Sequence, residues 1–415
     1  MSVVEDNLPW YRAITSEQWK ALIAAQAGWM LDAMDVMLYA FALTAIRKEF
    51  NLTAAEAGAL ASGTLVASAF GGILFGMLAD RIGRARSLMY SILVYSIFTA
   101  MTATAGSMGQ LIIWRTLVGI GLGGEWSAGS VLVSETWPDA HRGKAIGLMQ
   151  SGWAIGYIMA AVLAAAILPS HGWRWLFAVG VVPALLAVWI RGGVKEPEIW
   201  RAGFAVRPSN PAEAVRGFLA GAPLRRLLSA TALTTSVLFA YWGLFTWIPA
   251  FLSSPVEAGG AGMSIVKSSA WVVPMQIGAF FGYILFGFLA DRLGRRPVFI
   301  AFLLVAAALV PLYGSLSGHE TVLLCLGPLV GFFGHGYFSV FGAMLAELFP
   351  TRIRATAQGF AYNMGRAVSA LAPYTIGAVA DVHGIGSALA LTSVFFLLGA
   401  GLMMLMPETK GSRLG

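Results

Sequence analysis

Residues 73–84 read ILFGMLADRIGR and residues 284–295 read ILFGFLADRLGR, an offset of 211. A second set follows in register. Glu135, Pro138, Arg142 and Gly147 recur as Glu347, Pro350, Arg354 and Gly359, and Glu196 recurs as Glu408, each at an offset of 212. Self-similarity at a fixed period marks a duplicated unit. Hydrophobic runs surround the first copy at 19–45, 56–79, 87–105, 110–134, 144–168 and 173–192, and the second at 225–252, 266–290, 298–316, 321–346, 355–380 and 385–406. Each has roughly the length of a membrane helix, about 20 apolar residues. Six crossings return the chain to its starting side, so the two units share one orientation. The pattern predicts an all-α polytopic membrane protein of twelve transmembrane helices in two pseudo-symmetric six-helix bundles. A parallel repeat of this kind places a cavity between the bundles near mid-membrane. The bundles are expected at 1–192 and 225–415, joined by a cytoplasmic linker at 193–224 rich in arginine.

Composition agrees. Of 415 residues, 58% are hydrophobic and 11% charged, with a mean hydropathy of +0.75, whereas a soluble domain has about 45–50% apolar and about 25% charged residues. This speaks against a water-soluble enzyme, a disordered chain and a disulfide scaffold. The 49 glycines suit close approach of membrane helices. Cys325 is the only cysteine, which removes any intrachain disulfide and offers no metal cluster. Glu5, Asp6 and Glu17, without an apolar core between them, predict no cleavable signal peptide, so the first hydrophobic run is expected to be a retained helix. The net charge of +7 could suggest an anionic partner, but its distribution reads as topology. With both termini inside the cell, the outer loops hold Arg47, Lys48, Arg174 and Lys267, while Arg115 and Arg366 lie within helices; 21 of the 27 Lys and Arg remain on the cytoplasmic side. That satisfies the positive-inside rule and leaves no case for nucleic acid. A multi-pass protein of the inner (cell) membrane with cytoplasmic termini is expected.

GMLADRIGRAR and GFLADRLGRRP resemble the signature loop of the major facilitator superfamily, between helices 2–3 and 8–9. EPEIW at 196–200 and PETKG at 407–411 are similar to the motifs that close each half in its sugar-porter and organic-ion branches. GWMLDAMDVML at 28–38 and GIGLGGEW at 119–126 resemble bacterial organic-acid:proton symporters of nicotinate, lactate or sialate type, and NMGRAVSALAP at 363–373 resembles helix 11 of the organic-anion transporters. The resemblance covers essentially the whole chain and implies the major facilitator fold, alternating access, and a functional monomer without a cofactor, driven by a proton gradient. It further implies a cytoplasmic latch at Asp80, Arg84, Glu135 and Arg142 and its repeat at Asp291, Arg295, Glu347 and Arg354, with Asp80 engaging the Arg142 region and helix 11 when the carrier opens outward. Carboxylates facing guanidinium groups at the mouths of helices can pair in one conformation and part in another; the competing reading is that these arginines only fix topology. Ala85 separates Arg84 from Arg86, where the family usually has adjacent basic residues.

Charges inside the spans carry the chemistry. A charged side chain at the centre of a membrane helix costs about 2.5–3.5 kcal/mol on insertion scales, so Asp32, Asp35, Arg115, Glu125 and Arg366 must face a wet cavity or each other. Arg366 lies near mid-membrane in helix 11, where a guanidinium fork suits a carboxylate; the matching position of the organic-anion transporters is also an arginine. It is the leading substrate contact, against a structural pairing with helix 1 or helix 7. Asp32 and Asp35 share a helical face, and two acids in a poorly solvated site cannot both ionise cheaply, which is what a proton site needs. Arg115 can pair with Asp35 in the outer half and Glu125 with a deeper group. Asp35 and Asp32 are therefore proton-coupling candidates, and the resemblance to the organic-acid:proton symporters implies the same for Glu125 and Arg115, with a permanent bridge between an aspartate and Arg115 as the alternative. Trp126, Trp153, Tyr157, Tyr241, Trp242, Tyr362, Gln150, Gln276 and Asn363 lie at cavity depth, and Trp153, Tyr157, Tyr241 and Gln276 are taken as substrate contacts. His335 suits either a proton relay or a packing role. Gly119, Gly121 and Gly124 spell GxGxxG but lie in an apolar span with no strand, so they read as helix packing rather than a nucleotide site. Prolines 183, 249, 274 and 373 are expected to bend helices.

The expected function is proton-coupled uptake of a small organic monocarboxylate, aliphatic or aromatic, with the organic anion, H+ and the lipid bilayer as partners. An organic cation or drug:proton antiporter, a sugar carrier and a transporter-like sensor remain alternatives, since three intramembrane acids against two arginines would also suit a cation. No constellation supports an enzyme.

Overall fold

The computed structural model describes residues 10–12, 14–197, 221–348 and 354–408. Most of the expected linker, and the segment 349–353, lie outside these. Among the described residues there are fifteen α-helices, three short 3-10 turns and no strand. In the first half they are α1 (Ser16–Phe50), α2 (Ala54–Ile82), α3 (Arg84–Thr102), α4 (Met108–Thr136), α5 (Asp139–Ala178) and α6 (Pro183–Gly193). The second half has α7 (Gly221–Phe245), α8 (Ile248–Ser253), α9 (Ile265–Leu293), α10 (Arg295–Ser315), α11 (Glu320–Gly336), α12 (Phe338–Glu347), α13 (Arg354–Ser369), α14 (Ala372–His383) and α15 (Ile385–Met404).

These pieces make the twelve expected crossings, several of them broken. Gly172, at φ 77°, turns α5 from the fifth crossing into the sixth. Span seven is α7 plus α8, span ten α11 plus α12, and span eleven α13 plus α14. Pro183, Pro249 and Pro373 sit in the first turn of a restarted helix, where a missing N–H costs nothing, whereas Pro274 lies inside the continuous α9. Span three is unbroken but carries buried hydroxyls at Ser87, Ser91, Ser96, Thr99 and Thr102, which lowers its apolarity.

Sequence sets the helix starts. Thr15 with Gln18, and Thr53 with Glu56, form capping boxes at α1 and α2, each satisfying two orphan donors. The duplicated loop is built differently. Glu196, just past α6, accepts from the backbone N–H of Arg84 (2.6 Å), Ala85 (3.2 Å) and Arg86 (3.1 Å). Glu408, just past α15, accepts from Arg295 and Arg296, both at 3.0 Å. The last helix of each half thus caps the third helix of the same half. Gly83 and Gly294 precede these caps at φ 117° and 102°, and a Cβ on Gly83 would stand 2.3 Å from the Glu196 carboxylate. Glu196→Ala should cost about 0.5–2 kcal/mol, the usual loss of a cap, visible as a lower melting midpoint in detergent.

The GIGLGG segment is where α4 meets α2 and α3. A Cβ on Gly119 would stand 2.3 Å from the Thr64 carbonyl, and one on Gly121 2.5 Å from the Tyr95 nitrogen. Only glycine permits that approach, and the segment is packing.

The halves are tied at the end opposite the termini. Asp381 of α14 accepts from the N–H of Ala54 and Ala55, the first two residues of α2, at 2.9 Å each, and Arg47 stands 3.9 Å from the same carboxylate. Thr44 and Ser253 share a hydrogen bond of 3.4 Å. Ser62 accepts from the Tyr374 N–H at 3.2 Å, and Tyr157 donates to the Phe245 carbonyl at 2.9 Å. The last two bonds satisfy backbone groups beside the breaks in spans seven and eleven. Within the second half, Trp247 joins the same two breaks by donating to the Pro373 carbonyl at 3.0 Å.

Candidate functional site

A small cavity lies between the halves, lined by Val36, Tyr39, Thr64, Ser68, Arg115, Trp242, Thr246 and Arg366 among others. It offers about 20 Å³ to the centre of a water molecule, room for one water and not for a substrate. Two of the candidates, Arg115 and Arg366, line it.

Each arginine has a different environment. Arg115 is 3.8 Å from Asp35, both buried. Its guanidinium also lies over the rings of Tyr39 at 5.1 Å and Phe177 at 5.8 Å. This is the pairing expected in the outer half, enclosed by aromatic faces that favour a cation. Arg366 projects from the last turn of α13, just before the break at Ala370–Leu371. It is 4% exposed, its Nε has no hydrogen-bond partner, and among the described residues no carboxylate comes within 4 Å of it.

Asp32 and Glu125 are fully buried, and none of their four carboxylate oxygens has a hydrogen-bond partner. Arg366 is within electrostatic reach of both, and they are within reach of each other. Gly28, one turn before Asp32 on α1, makes room for Glu125: a Cβ there would stand 2.5 Å from its Oε1. The core of the site is therefore two acids and one guanidinium, from α1, α4 and α13, with no ion-pair partner among the described residues.

The aromatic candidates form a neighbouring cluster. Trp153 packs on Trp29 (4.6 Å), Trp242 (5.9 Å) and Tyr241 (6.3 Å) between ring centroids. Tyr241 stands edge-on to His335, its hydroxyl 3.4 Å from Nε2. His335 Nδ1 lies 3.1 Å from the Gly331 carbonyl; that acceptor requires Nδ1 to carry the hydrogen, so Nε2 accepts from Tyr241. The histidine is thus held in a packed pair. Gln276 is fully buried with both amide atoms unpartnered. Trp153, Tyr157, Tyr241 and Gln276 do not line the cavity; Trp242, Thr246, Thr64, Ser68 and Tyr39 do. Helical periodicity alone would not have selected these, because most faces of every span are apolar.

In the loop motif, Arg84 grips Glu135 with both groups, Nε to Oε2 at 3.1 Å and Nη2 to Oε1 at 3.0 Å. The side chains of Asp80, Arg142, Asp291, Glu347 and Arg354, and that of Trp126, lie outside those described.

Residues 27–274 and 261–414 match the family model of the Major Facilitator Superfamily, and the chain belongs to that family of membrane transporters. It is 36% identical over 394 residues to a cis,cis-muconate transport protein of Acinetobacter baylyi, covering 93% of this chain and 94% of that one. It is 31% identical over 438 residues to a niacin transporter of the same organism, covering 99% and 97%. Among solved structures, a D-xylose-proton symporter shares the fold with a TM-score of 0.78 at 20% identity, over 96% of this chain and all of that one. The chain is a transporter and not an enzyme.

Proposed function

We propose that the protein takes up a small organic monocarboxylate together with a proton, by alternating access. The observation that carries this reading is Arg366, a buried guanidinium on the cavity wall with no described counter-ion, beside the unpartnered acids Asp32 and Glu125. The names of the relatives, a muconate and a niacin transporter, support an organic acid.

Charge counting gives a coupling scheme. With one proton shared between Asp32 and Glu125, the remaining carboxylate balances Arg366. A substrate carboxylate that engages Arg366 takes over that balance, and the second acid then accepts a proton. One proton per carboxylate also cancels the cost of carrying a negative charge inward, about 2.3 kcal/mol per 100 mV. Asp35, engaged by Arg115, holds the outer part of the site in shape, and Trp153, Tyr157, Tyr241 and Gln276 set the frame around the substrate. The bundles 1–192 and 225–415 rock about this point on the linker 193–224. The Asp80 and Asp291 loops latch the cytoplasmic side, and the excess of Lys and Arg on the cytoplasmic loops and linker keeps both termini in the cytoplasm. One chain suffices.

The test is internal pH in proteoliposomes after addition of lactate, nicotinate, cis,cis-muconate, sialate, a sugar panel and organic cations, with protein-free liposomes alongside. Acidification beyond that control for particular carboxylates, lost in Arg366→Ala, is the expected result. Alkalinisation by external cations instead would replace this reading with antiport. Gly28→Ala should leave folding intact, because the displaced atom is the end of a flexible side chain. It should still lower coupled uptake by roughly tenfold or more, since misplacing a reacting group by an ångström costs up to about a hundredfold.

A further inference from the structure

We propose that Tyr95 is a positioning residue of the proton site, its hydroxyl donating to whichever of Asp32 and Glu125 is ionised. This rests on the reading above and adds a residue from α3, a helix with no part in it so far.

Tyr95 is fully buried, and its hydroxyl oxygen has no hydrogen-bond partner. Burying a hydroxyl without a partner is costly, and a phenylalanine would fill the same space without that cost. The direction of the side chain follows from the packing. The α3 backbone at Tyr95 touches α4 at Gly121, and Ser91 donates to the Gly121 carbonyl at 2.7 Å. The two helices run antiparallel, and each side chain leans toward the N-terminus of its own helix. Tyr95 therefore reaches along α4 toward its C-terminal end, where Glu125 stands four residues on, on the same face and about 6 Å away along the axis. Glu125 leans back toward Gly121. The two side chains converge, and Asp32 enters from α1; Tyr95 is within electrostatic reach of Asp32, Glu125 and Asp35. One turn further along α3, Thr99 lies next to Asp35: a Cβ on Gly180 would stand 2.1 Å from Thr99 Cγ2 and 3.6 Å from Asp35 Oδ1.

The charged groups that reach Tyr95 are Asp32 and Asp35 of α1 and Glu125 of α4; behind them, Arg115 pairs with Asp35 and Arg366 reaches Asp32 and Glu125. Apart from Tyr157 of α5, whose hydroxyl donates to the Phe245 carbonyl, the ionisable residues of α2, α5 and α6, which also pack on α3, lie near their helix ends. The phenol stays protonated throughout. Its O–H donates to the ionised carboxylate, and when that carboxylate takes the proton the phenol oxygen can accept from the new acid O–H. The hydroxyl thus stabilises the ionised form and lets the proton leave at a lower pH than the acids alone would allow.

The test is Tyr95→Phe, which keeps ring and volume, followed by two measurements. Infrared titration of the purified protein reads the carboxyl C=O band, assigned with Asp32→Asn and Glu125→Gln; uptake in proteoliposomes gives the pH profile. The expected result is a shift of the band's midpoint and of the profile by about half a pH unit or more toward alkaline pH, because the ionised form has lost a donor. An unchanged band and profile in a wild-type background that does couple protons would overturn the inference and leave the function reading standing. A shifted band in a protein that moves no proton with any carboxylate would uphold the contact and overturn that reading. If Tyr95→Phe fails to fold, a fluorotyrosine at position 95 strengthens the donor and should move the band the other way; no movement then overturns the inference.

Discussion

Arg366→Ala is expected to abolish carboxylate uptake, with Arg366→Lys recovering only part of it. Truncating one partner of a buried, hydrogen-bonded charge pair costs about 2–5 kcal/mol. At about 1.4 kcal/mol per tenfold, initial uptake at low substrate should fall by between about 30-fold and several thousand-fold. Lysine keeps the charge but not the planar fork that meets both carboxylate oxygens, so its defect should be mainly in apparent affinity. Arg366 has no described ion pair to lose, so Arg366→Ala should remain folded and inserted, which size-exclusion profile and melting midpoint check. Radiolabelled uptake under a fixed proton gradient reads the effect. Full uptake of a carboxylate by a folded Arg366→Ala protein would remove the arginine from the substrate site.

The second large effect is expected where the two halves meet, at the end of the bundle opposite the termini. Asp381 lies in the last turn of α14, where its charge is disfavoured by its own helix dipole. It is satisfied there by the first two N–H groups of α2, in the opposite half. Arg47 adds little, being 3.9 Å away and about a third exposed, as is Asp381, where screening leaves ion pairs nearly neutral in energy. The two N–H bonds are the substance of the clamp and resemble a shared helix cap, worth about 1–2 kcal/mol with the solvent discount. Asp381→Ala should therefore shift the balance between closed and open states of this end about 5–30-fold toward open, and Asp381→Asn less. Spin labels at Thr104→Cys and Glu257→Cys, exposed on opposite halves at this end, read it in a Cys325→Ser background. A longer inter-label distance in Asp381→Ala is the expected result; an unchanged distribution would mean that the close packing of Gly58 on Pro373 and Gly377 on Ala54 holds the end shut alone.

The duplicated loop marked two helix boundaries, although the apolar runs began the following spans at 87 and 298, about three residues late. The third and ninth spans start at Arg84 and Arg295, directly after the glycines of the two LGR or IGR triplets, because only glycine tolerates that φ so close to a carboxylate. Intramembrane charge was legible for a related reason: burial leaves Asp35 and Arg115 few options but each other. The partnerless state of Arg366 was not legible, since sequence cannot show that Asp32 and Glu125 stop short of it. The breaks were half legible. Three prolines marked restarts, but Pro274 did not, and the break at Tyr337 has no proline in its first turn. Contacts between the halves, such as Asp381 on α2, were not legible at all. They depend on how two bundles sit against one another, whereas periodicity reports only the faces of single helices. Tyr95 had a faint signal in Ser91, Tyr95 and Thr99, a polar line at four-residue spacing through an apolar span.

The carboxylate that caps α3 is supplied from 112 positions later in the chain. During synthesis the third helix is in the bilayer well before Glu196 leaves the ribosome, and until then the amides of Arg84, Ala85 and Arg86 have no partner from this source. The cap on α3 can form only when the sixth helix is complete, and it uses no residue of the second half. Glu408 repeats this for α10, at the very end of the second half. Each half thus receives the cap of its third helix only from an acid made after its sixth.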